Sequence, residues 1–100
     1  MQKMITSVFG YQQIGSGLNT ANTLTIPATD VNGLVGSPTT AIIRCETQAV
    51  RWRDDGVAPT ATVGMPLAVG DVLEYTGGNL KQLRFIEQTA SAKLNISYYS

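Results

Sequence analysis

A chain of 100 residues with 43% hydrophobic side chains, 14% charged side chains and zero formal net charge forms one small domain with uncharged surface to spare. A typical soluble domain is about 25% charged, so this balance leans toward an assembly component and away from a freely soluble enzyme. There is no histidine, which removes the Ser–His and Cys–His nucleophile pairs, His-ligated zinc and the usual acid/base group near neutral pH.

Other classes fall to the same reading. No cluster of Lys or Arg is present to displace counterions from phosphates, so nucleic acid is not an expected partner. No apolar run approaches the roughly 20 residues of a membrane-spanning helix. The opening Met1 to Phe9 carries one positive charge and no continuous apolar core, unlike a secretory signal, and the expectation is a protein made and used without export. Cys45 is the single cysteine, so no internal disulfide forms, and its apolar neighbours make it a small core residue. No cofactor is expected.

Taken in chain order, residues 1–14 read as an extended N-terminal arm carrying the aromatic residues Phe9 and Tyr11. Lys3 and Asp30 are the only charged residues up to Thr40, and the other twelve of the fourteen follow it. Turn signals fall at Gly15-Ser16-Gly17, Asn32-Gly33 and Gly36-Ser37-Pro38. Between them Thr23-Leu24-Thr25-Ile26-Pro27 alternates Thr with aliphatics, the mark of a half-buried strand.

From Thr40 the strand signals are denser. Thr40 to Thr47 is β-branched, with Ala41, Ile43 and Cys45 on one face. Val50-Arg51-Trp52-Arg53 alternates, Val50 and Trp52 inward and the arginines outward, and Asp54-Asp55-Gly56 closes it with turn chemistry. Val72 to Thr76, Leu83 to Glu87 and Lys93 to Tyr98 complete the set. Asn79 to Leu83 is the nearest candidate for a single helical turn, and no window holds an amphipathic helix over three turns. Short strands separated by Gly, Pro and Asp turns predict an all-β fold, a small antiparallel β-sandwich of jelly-roll or Greek-key type.

Five features invite chemistry. Arg51 and Arg53, two apart on one face, present forks suited to a carboxylate or to sugar hydroxyls, or else pair with Glu46, Asp54 or Asp55. Trp52 belongs in the core, or, if exposed, at an interface hot spot or sugar platform. Asp54-Asp55 lacks the alternation and terminal glutamate of a calcium loop, and adjacent carboxylates do not form a glycosidase pair. The turn itself accounts for them. Asn95-Ile96-Ser97 matches a glycosylation sequon by chance. Of Tyr98 and Tyr99, one points inward and the other is a candidate contact. The interface candidates are thus Arg51, Trp52, Arg53, Tyr11, Phe9 and Tyr99, with no catalytic or metal-binding residue.

The run R-W-R-D-D-G-V-A-P-T-A-T-V-G-M-P-L from Arg51, with G-D-V-L-E-Y-T-G, L-R-F-I and A-K-L-N-I-S-Y-Y after it, resembles small virion proteins of tailed bacteriophages. The resemblance covers about residues 51–99. It implies a capsid cement or decoration protein, made in the host cytoplasm and located in the virion. The implied partner is the major capsid protein or another virion protein. A small homo-oligomer is expected, a trimer by preference. The alternative is a carbohydrate- or receptor-binding module of a tail or fibre, built on Trp52, Arg51, Arg53 and the tyrosines. A cupin-like enzyme lacks its histidine ligands here.

Overall fold

The computed structural model describes residues 7–76 and 80–100. Eight strands run in order: β1 (Val8–Ile14), β2 (Asn22–Thr23), β3 (Thr40–Glu46), β4 (Val50–Arg53), β5 (Met65–Leu67), β6 (Val72–Thr76), β7 (Arg84–Glu87) and β8 (Lys93–Tyr99). A single 3-10 turn, Leu80–Gln82, precedes β7. The strands form two four-stranded sheets, β1-β8-β3-β6 and β2-β7-β4-β5, and every pairing is antiparallel. Consecutive strands mostly change sheet, so the chain winds around the core and does not meander along one layer. The protein is an all-β sandwich.

The two sheets share one apolar core. Ala41, Ile43 and Cys45 of β3 lie across from Tyr98, Ile96 and Leu94 of β8, all fully buried. Val50, Leu67 and Phe85 face them from the second sheet, and Leu18, Leu24, Leu80 and Leu83 close the ends from the loops. Alternation along β3 and β8 produces this directly, because successive side chains of a strand point to opposite faces. Cys45 is buried as its neighbours required, and its thiol donates to Gln48 O at 3.0 Å.

The N-terminal arm requires correction. Residues 1–6 lie outside the described residues, but Val8 to Ile14 are an edge strand in register with β8 from Tyr99 to Leu94. A bulge places Val8 opposite Tyr99 and Gly10 opposite Tyr98, so Phe9 turns into the core and is only 3% exposed. After the bulge Gln12 and Ile14 are the inward residues. A polar inward residue and a period broken at Phe9 hide the strand from a simple alternation test. Gln12 is satisfied inside, since its Oε1 accepts from Tyr98 OH at 2.8 Å and from Thr25 N at 3.1 Å.

Two further differences have equally local causes. Among the described residues the expected strand at Thr23 to Pro27 pairs at Asn22 and Thr23 alone, because the chain then crosses toward β1, where Pro27 lies against Gly10. A Cβ on Gly10 would stand 3.0 Å from Pro27 Cγ. Leu24 stays buried and Ile26 packs on the core without a ladder partner. β5, Met65-Pro66-Leu67, carries a proline that argues against a central strand. It is an edge strand of its sheet, where a missing N–H costs nothing.

Candidate functional site

The Arg51 to Gly56 segment is tied to its own loop. Arg51 donates from Nε to Ala61 O at 3.2 Å and from Nη1 to Gly64 O at 2.7 Å. Arg53 makes a two-bond pair with Asp55, at 3.1 Å from Nε and 2.5 Å from Nη2. That pair holds the Asp55 carboxyl below its ordinary range and raises the guanidinium. Asp55 Oδ1 also accepts from Val57 N at 3.2 Å, the side-chain-to-backbone bond that makes Asp a turn former. Asp54 accepts from Tyr75 OH at 2.8 Å, which raises the Tyr75 phenol above its usual value. Charge pairing and loop fixation therefore hold both guanidinium groups against their own loop.

Trp52 is half-buried, packs on the core and meets Tyr75 edge-on, with centroids 6.4 Å apart and planes at 79°. Phe9 is core. Tyr99 is half-buried on the outer face of the first sheet, between Val8 and Thr40. Tyr98 is the inward tyrosine, its phenol pushed well above the ordinary value by burial. Tyr11 is the candidate left open to solvent, 64% exposed. The structure thus gathers Arg51, Trp52 and Arg53 at β4 and sets Tyr11 on another sheet, so the six candidates do not form one site.

The most exposed apolar group was not among them. Between β2 and β3 the chain makes a small excursion closed by a Thr29–Val35 bridge and by Gly36 N donating to Ala28 O at 3.2 Å. Asp30 organises its tip, its Oδ1 accepting from Asn32 N at 2.8 Å and Leu34 N at 2.9 Å. Gly33, at φ 84°, supplies the left-handed residue that the tip needs. The result holds Val31 at 61%, Leu34 at 66% and Val35 at 89% exposure. Asn32-Gly33 between aliphatic residues was the available signal, a turn dipeptide flanked by hydrophobics.

The strand registers place this excursion at a definite end. β1 and β3 begin where β8, β6 and β4 finish, so the 24–39 and 54–64 loops lie at the same end of the sandwich. Val57 and Val63 of the second loop, and Val8 and Met65 at adjoining strand ends, are also largely exposed. Among the described residues the opposite end offers Val69 and Val72. Among the described residues no group of three or more His, Cys, Asp or Glu stands close enough to hold a metal, and no helix is long and apolar enough to cross a membrane. No protein-family model, curated protein or solved structure matches the chain.

Proposed function

We propose that this chain is a virion structural protein of a tailed bacteriophage, a capsid cement or decoration protein that docks on the head through one end of its sandwich. The observation that carries the reading is the preorganised apolar excursion at Val31, Leu34 and Val35. Contiguous exposed aliphatics on a monomer mark a contact site. A tip already fixed by the Asp30 carboxylate loses little freedom on docking, which favours affinity. The resemblance of residues 51–99 supports the major capsid protein or another virion protein as the partner.

The strand order β1-β8-β3-β6 and β2-β7-β4-β5 supports a jelly-roll reading of the sandwich, two interleaved Greek keys over eight strands. A trimer is the preferred oligomer, since cyclic association would cover more of the weakly charged surface. Mass spectrometry of purified particles of the parent phage tests the assignment. The chain should be present at a copy number comparable with the capsid subunits, and its absence from intact particles refutes the proposal.

A further inference from the structure

A second surface, remote from the apolar end, has the chemistry of a small-ligand site. The outer face of the first sheet holds an open depression of about 610 Å³. Its floor is built from β1, β8 and β3, which register Gln13 opposite Asn95 and Asn95 opposite Arg44. Tyr11 stands at one side, and Val69 with Gly70 at the other. That second wall is anchored, because Gly70 N donates to Cys45 O at 2.8 Å and Cys45 N donates to Asp71 O at 3.1 Å.

The polar groups are organised before any ligand arrives. Asn95 Oδ1 accepts from Tyr11 OH and, at 3.0 Å, from Gln13 Nε2, while Asn95 Nδ2 donates to Glu46 Oε1. This fixes the amide plane and leaves one amide N–H and Glu46 Oε2 without a bond among the described residues. Arg44, exposed beside them, has no hydrogen bond or ion pair among the described residues. The Tyr11 hydroxyl is anchored while its ring remains exposed. Fixed donors and acceptors beside an aromatic surface suit a molecule with one apolar face and several hydroxyls.

Charge narrows the class further. Arg44 and Glu46 lie two apart on the same strand face, so the residues lining the depression carry one charge of each sign, with Lys93 across from Glu46 outside the lining. An anionic ligand meets Glu46 and a cationic one meets Arg44, which leaves a neutral molecule favoured. Strands stand about 4.8 Å apart, so the span from β1 across β8 and β3 to the Gly70 wall, which bonds to β3 at Cys45, is about 14 Å, room for about three sugar rings. We propose that this trough binds a neutral saccharide of up to about three rings, with Tyr11 as the stacking platform and Arg44, Glu46 and Asn95 as the hydroxyl partners. The inference is independent of the virion assignment. Docking by the apolar end would leave the trough, which lies toward the opposite end, facing outward.

The test is a ¹H–¹⁵N NMR titration of the intact chain with maltotriose, cellotriose and chitotriose, each to about 20 mM, with glucuronate as the charged comparison. At least one neutral trisaccharide should shift the amides of Asn95, Glu46, Thr47 and Gly70, with a Kd on the order of 1 mM for so open a site. Tyr11→Ala should weaken it by about tenfold or more, and Glu46→Gln should weaken it too, both with unchanged spectra elsewhere. Absence of shifts with all three sugars overturns the inference. So do shifts confined to another surface, equal binding by Tyr11→Ala, or stronger binding of glucuronate.

Discussion

Phe9→Ala distinguishes a core strand from a loose N-terminal arm. Phe9 is buried at the β1 bulge, and its ring lies against the Gly36 backbone, 3.4 Å from where a Cβ on Gly36 would be. Truncating a buried phenylalanine costs about 3–5 kcal/mol. The 28–36 excursion beside it is a loop that can settle into part of the space, so the lower end, about 3 kcal/mol, applies. A domain of this size has only about 5–15 kcal/mol to lose. With a urea m-value of about 1.5 kcal/mol/M, the midpoint should fall by about 2 M, and the melting temperature by at least about 12 °C. Tyr11→Ala, in the same strand but exposed, should stay within about 0.5 kcal/mol of the parent. Urea unfolding followed by tryptophan fluorescence reads both, through Trp52. A midpoint shift below about 0.5 M for Phe9→Ala would refute the packing of β1 on the core.

Three other perturbations test separate parts of the account. Tyr98→Phe removes the 2.8 Å bond to Gln12 Oε1 but leaves that oxygen bonded to Thr25 N, so it should cost only about 1 kcal/mol by urea midpoint. A loss several times larger would contradict that local network. Gly64→Ala places a Cβ 3.1 Å from both Trp52 O and Pro59 Cβ at φ 137°, and should cost at least about 1–2 kcal/mol. Gly15→Ala, with open space around it, should change the melting temperature little. Burial raises the Cys45 thiol from its ordinary 9.0 and the Tyr98 phenol from its ordinary 10.0. The folded state therefore holds these protons more tightly than the unfolded chain. Their stabilisation is complete below pH 9.0 and is lost as pH rises toward the higher folded values. Urea midpoints should hold up to about pH 8 and then fall, and Cys45→Ala should move the start of the fall toward the tyrosine range. A midpoint that stays level through about pH 10.5 would count against both buried groups.

The parts of the fold that obey period 2 were legible in the sequence. β3 and β8 show it plainly, because Ala41, Ile43 and Cys45 and then Leu94, Ile96 and Tyr98 fall on one face without interruption. β4 shows it over four residues, and Asp55 closes that strand by the turn chemistry its position suggested. The strand β1 was hidden because one bulge at Phe9 shifts the phase and the next inward residue is Gln12, whose partners come from β8 and from Thr25. β5 was hidden by Pro66, tolerable because among the described residues β5 is the edge of its sheet. Both depend on sheet order, which a single strand's sequence does not encode.

The candidate surface was legible in a weaker sense. Arg51, Trp52 and Arg53 stood out because charged and aromatic residues alternate there, yet the partners that occupy them, Ala61 O, Gly64 O, Asp55 and Tyr75, become visible only once the loop folds back. The Val31 to Val35 tip was passed over because its residues are ordinary aliphatics, and their exposure is a tertiary fact. Its turn signal was present at Asn32-Gly33. What the dipeptide does not say is that the hairpin it closes is too short to reach the core.

The most direct test of the docking claim is quantitative co-sedimentation with phage heads that lack this chain, comparing the parent protein with Val31→Ser/Leu34→Ser/Val35→Ser. The parent should pellet saturably with the heads. The triple variant, altered only at exposed positions, should keep its urea midpoint and lose affinity by about tenfold or more. Failure of the parent to bind, or equal binding by the two proteins, would contradict the assignment of this end as the docking surface.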